Sequence, residues 1–154
     1  MGLDSYLYTS SKELANAVAD WMKANDEDSC DIDWCLEDGV ICYWRKYSPL
    51  HHWMVEHIQD GEDNCGIYEI NYTQMMDLYE TVCQEYNDPG STDFQPTCTF
   101  FFPTESLVEW NENYLEYTYN FLNFIIDKIE KYCYNSICFK GENWNAHICY
   151  SSSW

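Results

Sequence analysis

Residues 39–50 have the sequence Gly-Val-Ile-Cys-Tyr-Trp-Arg-Lys-Tyr-Ser-Pro-Leu, and this stretch indicates the class of fold. Residues 39–44 are rich in β-branched and aromatic side chains, which predicts a strand. Ser48-Pro49 then predicts the start of a helix, because serine caps helices well and proline fits their first turn. A strand that leads directly into a helix indicates a mixed fold in which helices pack on a sheet.

The spacing of apolar residues predicts the helices. In each of several segments apolar side chains recur at i, i+3, i+4 and i+7, which places them on one helical face. The segments are residues 12–24, 48–60, 71–86 and 111–134. The last one has a wide apolar surface, so we expect it to lie in the centre of the core or in a subunit interface.

Short apolar runs predict further strands at residues 3–8, 67–70 and 97–102. In the tail, residues 137–139 and 147–150 flank Lys140-Gly141-Glu142-Asn143, as the strands of a hairpin flank their turn. The sum predicts an α+β fold, with a small, mostly antiparallel sheet packed against three or four helices. We expect residues 1–132 to form a single domain and residues 133–154 to be a C-terminal addition packed on it.

The net charge of the chain limits the classes of partner that it is expected to bind. The chain of 154 residues has 27 acidic residues against 7 lysines and arginines, a formal net charge of −20. Nucleic acids and anionic membranes both attract clustered basic residues, so the sequence predicts neither as a partner. The acidic surface either keeps the protein soluble or imitates nucleic acid to block a basic partner. Aromatic residues reach 18%, which favours a subunit interface or a ligand pocket.

The 9 cysteines come without a secretion signal, and no apolar run approaches the ~20 residues of a membrane span. We therefore expect reduced thiols in a cytoplasmic protein. The sequence has no P-loop, GxSxG, HExxH or dinucleotide-binding motif, and its cysteines lack the CxxC spacing of structural zinc sites. No cofactor and no metal are expected.

Two weaker patterns remain open as alternatives. The acidic loop of residues 61–66 offers oxygen ligands for Mg²⁺ or Ca²⁺, although its spacing differs from that of the known calcium loop. A turn with solvated carboxylates is the favoured interpretation of this loop. Cys65 in the same loop would be a thiol nucleophile if His51 or His57 lay beside it.

Arg45 is the only arginine of the chain, and it stands where the predicted strand turns into the predicted helix. Arginine binds phosphate in a bidentate manner and stacks on flat rings. A helix N-terminus adds backbone donors and a positive dipole end. We therefore predict an anion-binding site here, in which Arg45 and Lys46 hold phosphate.

Neighbouring residues complete this predicted site. The rings that would stack on a planar base are those of Tyr43, Trp44 and Trp53. His51 and Asn64 would donate hydrogen bonds. The alternative is that the arginine pairs with one of the many carboxylates and that the indoles belong to the core.

A set of motifs extends along the chain in this order: Met1-Gly2-Leu3-Asp4-Ser5-Tyr6-Leu7, Tyr43-Trp44-Arg45-Lys46, Leu50-His51-His52-Trp53, Gly61-Glu62-Asp63-Asn64-Cys65-Gly66 and Phe100-Phe101-Phe102. As a set, they resemble a widespread family of small bacteriophage and prophage proteins whose pattern is MGLDxYL, YWRK, IHxW, GEDNCG and FFFG-T. The resemblance covers residues 1–132. Ser5, His52 and Pro103 depart from it, standing where the family usually has Met, Asn and Gly.

The resemblance implies a phage early protein that acts against host defence. Small phage proteins of this kind include sponges, which bind cyclic dinucleotides or related immune signals without cleaving them, often as tetramers. It therefore implies a small-molecule nucleotide ligand, a homo-oligomer (tetramer or dimer), a location in the host cytoplasm and no catalytic residues. The alternatives are a nucleotide-cleaving enzyme that uses His51 or Cys65, and an acidic decoy that binds a basic host protein.

Overall fold

The structure, a computed structural model, describes residues 3–24, 39–95, 107–130, 137–139 and 145–153. Its helices are α1 (Lys12–Ala24), α2 (Ser48–His57), α3 (Tyr72–Asn87) and α4 (Leu107–Lys128). Its strands are β1 (Asp4–Thr9), β2 (Val40–Arg45), β3 (Ile67–Ile70), β4 (Ile129–Glu130), β5 (Ile137–Phe139), β6 (Asn145–Ala146) and β7 (Ile148–Ser153). The main sheet is antiparallel with the order β2-β1-β7-β3, and β4, β5 and β6 form a smaller sheet. The predicted α+β class is confirmed.

Helices α1 and α3 agree well with the predicted segments. In α1, the apolar stripe buries Leu14, Val18 and Met22. Helix α3 starts with a capping box, in which Asn71 Oδ1 accepts from the backbone N–H of Gln74 at 2.8 Å and Gln74 Oε1 accepts from the backbone N–H of Asn71 at 3.0 Å. These reciprocal bonds satisfy two backbone donors and fix where α3 begins.

Helix α2 differs from its prediction at both ends. The N-cap is Tyr47 and Ser48 already belongs to the helix, so the predicted serine cap is wrong. The Tyr47 side chain makes no capping bond because its ring is buried in the core. The helix ends at His57, earlier than predicted, and Asp60 and Gly61 then adopt φ values of 52° and 79°. A right-handed helix cannot continue through this left-handed conformation.

The C-terminal region differs most. Helix α4 ends at Lys128 and gives way to β4, so its predicted extension to residue 134 is wrong. The predicted pairing of residues 137–139 with 147–150 is also wrong: β5 pairs with β6, whereas β7 lies between β1 and β3. Strand partners are tertiary contacts, which local spacing does not encode. The predicted strand at 97–102 lies outside the described residues.

The side chains of β1 alternate between the two faces of the main sheet. Ser5 and Leu7 are buried, whereas Asp4 and Tyr6 are half-buried. We call the side with Ser5 and Leu7 the inner face, and the side with Asp4 and Tyr6 the outer face. All the helices contribute to the one core cluster that covers the inner face.

Trp44 of β2 attaches α4 to the inner face. Its ring meets those of Tyr117 and Phe121 edge to face, with centroids 6.0 and 6.4 Å apart. Its Nε1–H donates to Thr118 Oγ1 at 2.8 Å, so the polar atom is satisfied as the ring is buried. The predicted central place of this helix in the core agrees with these contacts.

Glu85, near the end of α3, is a buried carboxylate that organises the following turn. It accepts hydrogen bonds from the Gly90 backbone N–H at 2.6 Å, the Thr92 hydroxyl at 2.8 Å and the Gln95 amide at 2.5 Å. Burial raises the pKa of Glu85, but these hydrogen bonds outweigh burial and hold the pKa below its ordinary value. Residues 88–95 are thus ordered around one charged group.

Candidate ligand-binding site

The chain turns sharply where β2 leads into α2. Arg45 ends β2, and the backbone N–H of Lys46 donates to the carbonyl of Leu3 at 2.6 Å. Lys46 has a φ of 55°, in the left-handed region that side chains other than glycine rarely adopt. This conformation, which costs about 1–2 kcal/mol, redirects the chain into the first turn of α2. Such strain beside an exposed cation marks a candidate functional position.

Arg45 presents its guanidinium to solvent. The ion pairs found within the described residues all involve histidines, and none involves this guanidinium. Its backbone N–H donates to the hydroxyl of Tyr114 at 3.0 Å, which attaches the end of β2 to α4. The backbone is therefore held in place while the side chain keeps its N–H donors for another molecule.

Asp4 lies directly opposite Arg45 in the β1–β2 ladder, on the outer face. Its Oδ1 accepts a hydrogen bond of 2.6 Å from the Tyr43 hydroxyl. Burial, this hydrogen bond and the charge of Asp4 raise the pKa of Tyr43 far above its ordinary value, so the phenol remains a neutral donor. The Tyr43 ring lies 5.2 Å from that of Tyr6. We call Asp4, Tyr43, Arg45 and Lys46 the Arg45 junction.

Two of the predicted stacking residues lie in the core instead. Trp44 and Trp53 are 1% and 3% exposed. The Trp44 ring is enclosed against α4, and the Trp53 ring stacks on that of His57 with centroids 4.5 Å apart. A ring buried to this degree offers no face to a base. Of the three predicted rings, that of Tyr43 remains at the Arg45 junction.

His51 belongs to a buried chain of polar side chains. Its Nε2 lies 2.8 Å from Asp63 Oδ1, and its Nδ1 lies 2.8 Å from the hydroxyl oxygen of Tyr150. The Tyr150 hydroxyl donates to Ser5 Oγ at 3.0 Å. We call Asp63, His51, Tyr150 and Ser5 the His51 chain. Because both imidazole nitrogens are occupied, His51 has no donor left for a ligand in this arrangement.

The His51 chain reaches solvent only at Asp63, whose side chain is 52% exposed against 11% for His51. Tyr150 and Ser5 are fully buried. Burial raises the pKa of the Tyr150 hydroxyl far above its ordinary value, so the phenol remains neutral. The chain thus joins the loop after α2 to the inner face of the sheet.

Asn64 lies in the same loop and is held by its own neighbours. Its Oδ1 accepts from the backbone N–H of Gly66 at 2.8 Å and from the Tyr68 hydroxyl at 2.9 Å. A Cβ added at Gly66 would lie 2.8 Å from this oxygen, so a larger residue there would displace the Asn64 side chain. The amide group of Asn64 is therefore fixed in orientation, while its Nδ2 donates to no described residue.

Sequence reasoning missed Asp4 and the buried hydroxyls. A signal existed in the predicted strand of residues 3–8, where strict alternation places Ser5 between Leu3 and Leu7 on the apolar face. A serine at such a position predicts a buried hydrogen-bond partner. The same alternation places Asp4 on the other face. The partner Tyr150 has no comparable signal, because β7 is far from β1 in sequence.

Cys65 is exposed, and no described residue hydrogen-bonds to its thiol. The ring nitrogens of His51 are occupied elsewhere, and Nε2 of His57 lies 3.7 Å from Asp93 Oδ2. Among the described residues, then, no base is paired with the Cys65 thiol. Within the described ranges no three His, Cys, Asp or Glu side chains are grouped so as to hold a metal ion.

Comparisons of the chain with protein-family models, curated proteins and solved structures found no match. The described part of the chain contains no helix with the length and apolar character needed to cross a bilayer.

Proposed function

We propose that this protein is a phage anti-defence protein that binds and sequesters a host nucleotide immune signal without cleaving it. The signal is a cyclic dinucleotide or a related molecule. The protein acts in the host cytoplasm as a homo-oligomer, either a tetramer or a dimer. The motif resemblance supports the phage assignment, and the Arg45 junction supports a nucleotide as the ligand.

One observation carries the proposal: the guanidinium of Arg45 is exposed and has no ionic partner among the described residues. In a chain with 27 acidic residues and a net charge of −20, an arginine would be expected to meet a carboxylate. A phosphate group would supply the missing anion through charge-assisted, bidentate hydrogen bonds. Lys46, the next residue, adds a second cation at the same turn.

The ring of Tyr43 in the Arg45 junction and the neighbouring ring of Tyr6 provide the stacking contact that a nucleotide base needs. Tyr43 and Tyr6 lie together on the outer face beside Arg45. Stacking of a base on such a ring contributes about 1–3 kcal/mol, and a hydrogen bond to a charged group about 1.5–3 kcal/mol. A few contacts of each type reach about −12 kcal/mol, which corresponds to nanomolar affinity, once the cost of association is offset.

Sequestration is favoured over cleavage because the polar side chains of the His51 chain are largely buried and already hydrogen-bonded. A nucleophile or general base must touch the substrate. In the His51 chain, the hydroxyl groups of Tyr150 and Ser5 are sealed in the core, and the imidazole is held between two partners. The exposed thiol of Cys65 has no base among the described residues.

The proposal is tested by incubating the protein with cyclic dinucleotides, removing free ligand, and denaturing the complex with heat. Mass spectrometry of the released small molecules then separates the possibilities. We expect the intact ligand to be recovered. Recovery of a linear or hydrolysed product would instead establish an enzyme, and failure to bind any nucleotide would favour an acidic decoy.

The site is tested by titration calorimetry on Arg45→Ala, with Lys12→Ala as the matched control. Lys12 is an exposed cation of α1, far in sequence from the junction. We expect Arg45→Ala to lower the affinity about 10- to 100-fold, the loss of one charge-assisted contact. Lys12→Ala should leave it unchanged. Equal affinities in both folded variants would place the site elsewhere.

A further inference from the structure

We propose that the Arg45 junction selects guanine, with Asp4 as the residue that reads the base. This inference depends on the proposed nucleotide-binding function and identifies the class of base. The Asp4 carboxylate accepts from the N1–H and N2–H groups of guanine, while Arg45 and Lys46 hold phosphate. Because the Asp4 carboxylate repels phosphate, we assign it to the base rather than to the phosphate of the ligand.

The placement of Asp4 is unusual for a carboxylate beside an arginine. The two residues are direct partners in the β1–β2 ladder, so their side chains leave the same face of the sheet. They nevertheless form no ion pair with each other, and both remain accessible to solvent. The Arg45 junction therefore presents a cation and a hydrogen-bond acceptor side by side. Each has hydrogen-bonding positions that no described residue occupies.

The Tyr43 hydroxyl holds the carboxylate in this position. It donates to Asp4 Oδ1 at 2.6 Å and uses a single lone pair of that oxygen. An ionised carboxylate offers further lone pairs on both oxygens, and no other described residue donates to this one. Asp4 is thus oriented by Tyr43 rather than neutralised by Arg45. A fixed acceptor pair is what a base with two adjacent donors requires.

Guanine is the base whose edge matches this acceptor pair. Its N1–H and N2–H groups are neighbouring donors, which meet the two carboxylate oxygens together. Adenine and cytosine place an acceptor nitrogen beside their amino group, and uracil flanks its single N–H with two carbonyl oxygens. Each of these three bases would bring an acceptor against the negative charge of Asp4.

The experiment compares two matched ligands, cyclic di-GMP and cyclic di-AMP, by titration calorimetry on the full chain. We expect the wild type to prefer cyclic di-GMP about 10- to 100-fold, the discrimination that a good bidentate contact provides. Asp4→Asn should abolish or reverse this preference, because an amide pairs well with adenine. Arg45→Ala should lower the affinity for both ligands by a similar factor.

Tyr43→Phe serves as the second variant, since it keeps the carboxylate and the ring but removes the hydrogen bond between them. It should reduce the preference for cyclic di-GMP less than Asp4→Asn does. Wild-type protein that binds both ligands equally, or prefers cyclic di-AMP, overturns the guanine assignment and leaves the proposed function standing. Binding of neither ligand also overturns the guanine assignment, whereas the proposed function fails only if no nucleotide binds. If Asp4→Asn fails to fold, the wild-type preference and Tyr43→Phe still decide.

Discussion

The Arg45 junction and the His51 chain contain similar kinds of side chain but use them in opposite ways. At the junction, Arg45 and Asp4 face solvent with donors and acceptors to spare. In the chain, His51 is buried and both of its nitrogens have partners. A cluster of polar residues in the sequence therefore does not by itself distinguish groups that bind a ligand from groups that stabilise the fold.

The physical difference between the two regions is the cost of leaving a group unpaired. A buried donor or acceptor without a partner costs about 1–3 kcal/mol, so most polar groups in a protein core are paired. A group in water loses little when unpaired, so it stays free for a ligand at no cost to the fold. Mutations in the two regions should therefore affect different properties.

The largest effect is expected for His51→Ala. It removes a buried ring and leaves the Tyr150 hydroxyl with one partner fewer, which should lower the free energy of unfolding by about 2–4 kcal/mol. Urea denaturation measures the loss. His52→Ala, on the same helix but only half-buried, is the matched control and should cost less than about 1 kcal/mol. Equal losses would mean that the His51 chain contributes nothing special to stability.

Glu85→Gln removes the charge of a second buried polar group. The pKa of Glu85 is held low in the folded protein by its hydrogen bonds. Its stabilisation is therefore present above the unfolded-state value of about 4.3 and is lost as pH falls through the lower folded-state value. We expect the substitution to cost about 1–3 kcal/mol at neutral pH.

The check on Glu85 is the pH dependence of unfolding. The difference in stability between wild type and Glu85→Gln should shrink as the pH is lowered into the acid range, because the wild-type carboxylate becomes protonated. Glu80→Gln removes an exposed carboxylate of the same helix and, as the control, should change stability by less than about 0.5 kcal/mol at neutral pH. A difference that stays constant down to acid pH would contradict the assigned role.

Arg45→Lys tests whether the shape of the guanidinium, and not only its charge, is needed at the Arg45 junction. Lysine keeps the charge but loses the planar fork that binds phosphate in a bidentate manner. We expect nucleotide affinity to fall about tenfold, or about 1.4 kcal/mol. Stability should change by less than about 0.5 kcal/mol, since the side chain is exposed. A large loss of stability with unchanged affinity would show that Arg45 acts like the His51 chain instead.

The smallest effect is expected for Lys46→Gly, and it has the opposite sign. Glycine adopts the left-handed conformation of residue 46 without strain, so thermal unfolding should show a gain of about 0.5–1 kcal/mol. Asp60→Gly, at the other left-handed side chain, should give a similar gain. Only Lys46→Gly should also weaken nucleotide binding. A loss of affinity in both variants would point to a general effect of the backbone.

Much of the fold was predictable from periodicity. The bounds of α1 and β3 agree with the apolar spacing, and the capping residue Asn71 was among the predicted starts of α3. The helix start at Ser48 was misplaced by one residue because the preference of serine for N-caps competes here with burial of Tyr47. The candidate site was predictable only where one residue type is scarce, as for Arg45 in an acidic chain.

The kinds of element, the acidic surface and the isolated position of Arg45 follow from composition and local spacing, so the sequence alone was enough to predict them. The place of β7 between β1 and β3, which puts Tyr150 against His51, depends on contacts between distant segments and was seen only in the folded chain. The same holds for the position of Asp4 beside Arg45. Strand register and burial arise from contacts between distant parts of the chain, and they decide which polar groups are already satisfied and which remain free to bind.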